Sequence, residues 1–171
     1  MLFDFPLPFA PSFYKIDLSE VPILIGCFAM GPAAGIIIEA MKILLNFIIS
    51  GTVTAGVGEL ANFAIGCSMV LPAGLIYRYH KTRKNAVLGM AAGTLVMASI
   101  GGLLNAFVLL PAYAALFGGM DAIIGMGTAV NKNITSVQSF VLLSVVPFNL
   151  VKGVIVSLVT FLVSRVLIHN A

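Results

Sequence analysis

The chain has 171 residues, 60% of them hydrophobic and 9% charged, with a mean hydropathy of +1.12. Soluble domains carry about 25% charged residues, so a water-soluble fold is excluded and the chain reads as an integral membrane protein. The net charge of +3 is local, because Arg78, Lys81, Arg83 and Lys84 share one short loop; that is a topology signal and not a nucleic-acid surface.

Several long apolar segments predict an all-α, compact helical bundle as a single membrane domain over 1–171. A barrel would alternate polar and apolar residues instead. Helices are expected near 18–30, 32–50, 58–79, 86–117 and 137–168, giving five spans. Cys27 and Cys67 stand alone in apolar segments and read as packing residues, with no metal spacing.

The first segment, 1–17, holds Pro6, Pro8 and Pro11 among Phe3, Phe5, Phe9 and Phe13. Proline at this density forbids a regular helix. Two readings stand: an aromatic lid over the bundle, or an interfacial aromatic belt. The segment lacks the basic start and unbroken apolar core of a signal peptide. Asp17-Leu18-Ser19-Glu20 then precedes Val21-Pro22, which marks a helix start with Ser19 as cap and proline in the first turn. One helix from Val21 to Ile49 would be about 44 Å long, against a hydrocarbon core of about 30 Å. The Gly31-Pro32 pair inside it therefore predicts two helices.

On the second of these, Glu39, Lys42 and Asn46 form one helical stripe, read as a polar seam joining helices. A glycine-rich turn, 51–58, follows. Glu59 then falls in a first helical turn, where a carboxylate suits the helix dipole, and Asn62 sits one turn on. The basic loop, 78–85, faces the cytoplasm by the positive-inside rule. Gly89 and Gly93 in the next apolar run have the spacing that lets helices approach closely. Asn105 is the strongly polar residue of its outer half, read either as interhelical glue or as a ligand contact. Pro111 is expected to kink or end this helix, and 118–136 to form a polar loop.

The last apolar run carries Pro147-Phe148-Asn149-Leu150-Val151-Lys152-Gly153. Asn149 and Lys152 are three apart and share a helix face. A lysine at this depth costs about 2.5–3.5 kcal/mol on insertion scales. It must therefore snorkel, pair with a carboxylate such as Glu59, or face a polar pocket. With 78–85 inside, 1–17, 51–58 and 118–136 lie outside. Asn105, Asn149 and Lys152 then converge with the aromatic segment on the outer half of the bundle, an arrangement suited to capture from outside.

Five segments occur in an order that resembles one known family: Phe5-Pro6-Leu7-Pro8-Phe9, Lys15 to Pro22, Gly58 to Phe63, Leu104 to Tyr113 and Pro147 to Gly153. They are similar to the riboflavin-specific substrate-binding (S) component of energy-coupling factor (ECF) transporters, over essentially the whole chain. The resemblance implies a six-helix fold with a loop, L1, after helix 1. On that frame 1–17 is the external L1-like loop, and helix 1 is expected to be missing or truncated here. It also implies a multi-pass protein of the bacterial cell membrane. Such a protein binds riboflavin at the outer face and delivers it inward with a transmembrane coupling subunit and two ATPase subunits.

The family motifs carry ligand contacts over to Asn105, Asn149 and Lys152, and less firmly to Phe9, Tyr14 and Asn62. An asparagine amide offers a donor and an acceptor to a ring carbonyl beside a ring N–H, and lysine offers donors to carbonyls or hydroxyls. The ligand is riboflavin or FMN, carried as cargo, with no cofactor implied. No G-x-x-x-x-G-K-[ST] loop occurs, so the chain itself is not expected to hydrolyse ATP. Two other classes remain open. A self-sufficient secondary transporter would call for inverted repeats. A membrane enzyme would need a nucleophile set or metal spacing, neither of which the sequence offers.

Overall fold

Glycine and proline set most of the element boundaries. The computed structural model describes residues 4–6, 15–52 and 54–169. Two short strands, β1 (Asp4–Pro6) and β2 (Lys15–Asp17), pair antiparallel with Phe5 opposite Ile16. They lie within the segment read as the L1-like loop. Helix α1 (Glu20–Met30) follows at once. Ser19 does not cap it: its side chain makes no capping bond. Asp17 Oδ1 instead accepts from both the Ser19 N–H and its hydroxyl. Neither N–H that a serine cap would bond is open to it: Val21 N–H donates to the Leu18 carbonyl, and Pro22 has none.

Gly31 breaks the chain between α1 and α2 (Pro32–Ser50) at φ 103°, and Pro32 opens the second helix. Only glycine takes that backbone angle without strain, and proline suits the first helical position. The two-helix reading of 18–50 therefore holds. At 11 residues α1 is about 16 Å long, half of a membrane span. Four of the described helices are long and apolar enough to cross: α2, α3 (Val57–Tyr79), the continuous helix Arg83–Phe117 and the continuous helix Val137–Ser164. The expected five spans are thus four full ones and one half-length helix.

Helix α4 (Arg83–Leu104) starts three residues earlier than expected. Thr82 is extended and its hydroxyl accepts from the Asn85 N–H at 3.2 Å, so a threonine cap draws part of the basic loop into the helix. Gly89 and Gly93 lie directly against the α3 backbone. A Cβ on either would stand 2.7 Å from the Ala73 carbonyl or 2.3 Å from that of Met69. The glycine spacing thus marks a true close helix approach.

Pro111 neither ends nor breaks its helix. A π-helical turn, Asn105–Leu109, leads into α5 (Leu110–Phe117). A second π turn, Val141–Val145, joins α7 (Val137–Phe140) to α8 (Val146–His169), just ahead of Pro147. A proline ring crowds the carbonyl four residues back and supplies no N–H. A widened turn at that point absorbs both defects without stopping the helix.

The expected loop 118–136 contains an 11-residue helix, α6 (Met120–Val130). Four glycines in 118–127 disguised it. Its Ile123 packs with Ile134, Phe140, Leu110 and Phe148 in a core at one end of the bundle. A larger core joins α1, α3, α4 and α8 through Leu24, Met69, Val70, Met97 and Val156. Outward faces carry Ile37, Ile48, Leu95, Leu103, Phe107, Leu142 and Leu158, all exposed. Contiguous apolar surface of this extent is the face a bilayer covers.

Candidate functional site

A cavity of about 440 Å³ opens at the end of the bundle opposite the basic loop. Asn46 and Ser50 at the end of α2, Glu59 and Asn62 at the start of α3, and Thr54 between them line one side. Asn105, Tyr113 and Phe117 line it from the Arg83–Phe117 helix, and Phe148, Asn149 and Lys152 from α8. Asp17 completes the wall from the end of β2. Asn62, Asn105, Asn149 and Lys152, dispersed in sequence, are therefore brought together. Phe9 and Tyr14 lie outside the described residues.

The two buried asparagines meet over one glycine. Asn105 Nδ2 donates to the Gly101 carbonyl at 2.7 Å, and Asn149 Nδ2 donates to the Val145 carbonyl at 3.0 Å. A Cβ on Gly101 would stand 2.9 Å from Asn149 Nδ2. Glycine there lets the Asn149 amide cross against α4 next to Asn105. Both amides hang on the widened turns: Asn105 begins one, and Val145 ends the other. Each amide donates one hydrogen bond to its own helix and lines the cavity.

Lys152 is not held by Glu59, whose carboxylate accepts from the Thr52 hydroxyl at 3.0 Å. Its Nζ lies 2.9 Å from Glu20 Oε1 and 3.6 Å from Asp17 Oδ2. Glu20 also faces Lys42 at 3.3 Å, and Lys42 faces Glu39 at 2.6 Å. The Glu39–Lys42 seam thus extends through Glu20 to Lys152 and ties α1, α2 and α8 together. With Asp17 included, it carries three carboxylates and two ammonium groups. Glu39 is fully buried, its two oxygens have no hydrogen-bond partner of good geometry among the described residues, and it packs against Gly66; its contact with Lys42 is ionic.

Sequence reasoning missed Asp17 and Glu20 as parts of the site, treating them as helix-start residues. The signal was available: a lysine deep in an apolar run needs a counter-ion, and these two carboxylates open the half-length helix. The cavity as a whole offers four asparagine amides, an ammonium group, hydroxyls and aromatic walls. That set suits a flat, neutral, polar-edged ligand. Among the described residues, the charged groups lining it are Asp17, Glu59 and Lys152, and these carry no surplus positive charge.

Comparisons with known proteins show what the chain is similar to. A family model described as "ECF transporter, substrate-specific component" matches residues 1–164. The Riboflavin transporter RibU of Staphylococcus aureus (strain TCH60) is 36% identical over 161 residues, covering 94% of this chain and 78% of that protein. The Riboflavin transporter FmnP of Bacillus subtilis (strain 168) is 32% identical over 164 residues, covering 95% and 81%. A solved structure described as "Structure and mechanism of the S component of a bacterial ECF transporter" aligns with a TM-score of 0.75 at 35% identity, over 98% of this chain and 85% of that one.

Proposed function

The chain belongs to the substrate-specific components of ECF transporters, and from that premise we propose that it captures riboflavin in the cavity between α2, α3, α5 and α8. The cavity faces the outside on the orientation that the basic loop supports. The protein then hands its cargo inward with a transmembrane coupling subunit and two ATPase subunits. The observation that carries this reading is the convergence of Asn62, Asn105, Asn149 and Lys152 on one cavity walled by Tyr113, Phe117 and Phe148.

Riboflavin is uncharged, with an apolar dimethylbenzene end, a pyrimidine-like edge and a hydroxylated tail. Paired asparagine amides match the alternating carbonyls and N–H of the pyrimidine-like edge. The phenyl and phenol rings supply apolar area and stacking faces. Lys152 turns two directions toward Glu20 and Asp17, which leaves one N–H for a ligand carbonyl or hydroxyl. Charge balance favours riboflavin over FMN. Among the described residues, a phosphate monoester would meet Asp17 and Glu59 with only an already paired ammonium group to offset them. Like charges brought together in a low dielectric repel strongly.

The test is titration of flavin fluorescence against purified protein. Riboflavin should quench to saturation, and FMN should bind more weakly. Asn105→Ala and Asn149→Ala should each cost about 1–3 kcal/mol, the price of one unmade buried polar contact, or roughly 5- to 150-fold in affinity. Unaltered affinity in both variants would remove the cavity as the flavin site. Uptake into cells lacking the coupling and ATPase subunits would favour a self-sufficient carrier instead.

A further inference from the structure

A second cavity, of about 490 Å³, lies at the other end of the bundle, within the range of about 300–1,000 Å³ usual for small-molecule sites. Phe28 of α1 and Phe161 of α8 give it apolar walls, Ala86 of α4 leaves it room, and the exposed Lys81 and Arg83 line its mouth. Thr160 of α8 lines it too. That side chain is fully buried, and its hydroxyl has no hydrogen-bond partner among the described residues.

Among the described residues, three buried hydroxyls lack a hydrogen-bond partner, those of Ser144, Ser157 and Thr160, and of these Thr160 is the one that lines this cavity. Thr94, Ser99 and Thr128 each donate to the carbonyl four residues back on their own helix, at 2.8, 3.0 and 3.0 Å. Thr160 does not, so it keeps a donor for whatever enters the cavity. Buried polar groups without partners are uncommon and call for an occupant.

We propose that this cavity binds an anionic phospholipid of the leaflet on the basic-loop side. The phosphate sits between Lys81 and Arg83, an ester carbonyl accepts from the Thr160 hydroxyl, and an acyl chain lies against Phe28 and Phe161. Each part of the cavity has a counterpart in that one class of molecule. A water-soluble phosphate compound would leave the apolar walls bare, and a zwitterionic lipid would leave the two cations without a surplus negative charge. The site is separate from the flavin cavity and does not depend on which ligand that cavity takes.

Native mass spectrometry of the detergent-purified protein tests this, with phosphatidylglycerol, phosphatidylcholine of the same acyl chains, and glycerol 3-phosphate as probes. A retained phosphatidylglycerol adduct is expected, with phosphatidylcholine and glycerol 3-phosphate bound far more weakly. Lys81→Gln with Arg83→Gln should weaken the adduct about tenfold or more. Ala86→Phe, which fills the cavity and keeps both cations, should weaken it as well. Thr160→Val, nearly isosteric, should lower retention while the protein elutes as a single species. Lys84→Gln, which removes a cation that does not line the cavity, should leave the adduct intact. Equal binding of phosphatidylcholine, equal binding of glycerol 3-phosphate, an unaffected Ala86→Phe adduct, or an equal loss in Lys84→Gln would each overturn the proposal. The lipid comparison on the unaltered protein stands even where a variant does not fold.

Discussion

Lys152 has three N–H groups and more than one claim on them. Glu20 and Asp17 pair with it, and it lines the cavity that Asp17 also lines. From sequence alone, a ligand contact and a structural ion pair are rival readings of this lysine; its ion pair with Glu20 beside the cavity is compatible with both. Removing it strands Glu20, which is fully buried, with Lys42 as its remaining ammonium partner. Breaking a buried ion pair from one side costs about 3–5 kcal/mol. Lys152→Met should therefore lower the melting temperature markedly, against the simpler expectation of a folded protein with weakened binding. Adding Glu20→Gln removes the stranded charge and should restore much of the stability while flavin affinity stays low. Thermal melting and flavin titration on the two single variants and the double variant close the cycle. A Lys152→Met protein that melts like the parent would show that the pair does not hold the bundle together. Polar residues in apolar runs were legible because each stands out against its neighbours. The Glu20 pairing was not, because its partner lies 132 residues away.

Elements were legible where local chemistry forces a choice. Gly31-Pro32 announced a break, and the break is there. The spacing of Gly89 and Gly93 announced a close helix contact, and α3 fills it. Two kinds of element escaped. Helix α6 hid behind glycines, because tertiary packing of Ile123 outweighs their low helix propensity. The π turns hid because a widened turn has the same composition as a regular one. Their consequence is rotational. Each inserts an extra residue, which turns the following side chains by about 100° at 3.6 residues per turn. The turn ahead of Pro147 therefore helps aim Asn149 and Lys152 into the cavity. Pro147→Ala restores an N–H and removes the ring clash, so the regular helix becomes competitive. Flavin affinity should fall by an amount comparable to one misplaced polar contact, about 1–3 kcal/mol, with circular dichroism unchanged. Full affinity in Pro147→Ala would mean that packing around Val141–Val145 sets the turn without help from the proline.

At the scale of the whole molecule, the two ends of the bundle differ in kind. One end gathers the basic loop and the lipid-sized cavity; the other gathers the asparagines, the ion-pair seam and the strand pair. The half-length α1 explains how the seam reaches so deep. Residues 15–19 enter the bundle without helical structure, and the helix begins beside Lys152, so the backbone brings Asp17 and Glu20 to that lysine. Non-helical backbone within a membrane protein is tolerated where protein or a cavity surrounds it, and here it borders the proposed flavin cavity. The sequence supplied the polarity of this arrangement through charge counting, which the positive-inside rule turns into an orientation. Impermeant thiol labelling of intact cells checks it, in a Cys27→Ala/Cys67→Ala background. Lys132 lies in the exposed turn after α6 and Lys84 in the exposed first turn of α4, whereas Thr128 is half-buried with its hydroxyl bonded to Ile124 and Ile134 carbonyls and would label poorly at either face. Lys132→Cys should label from outside, and Lys84→Cys only after the cells are permeabilised. The reverse pattern would place the flavin cavity on the cytoplasmic side, where capture of an external vitamin is impossible.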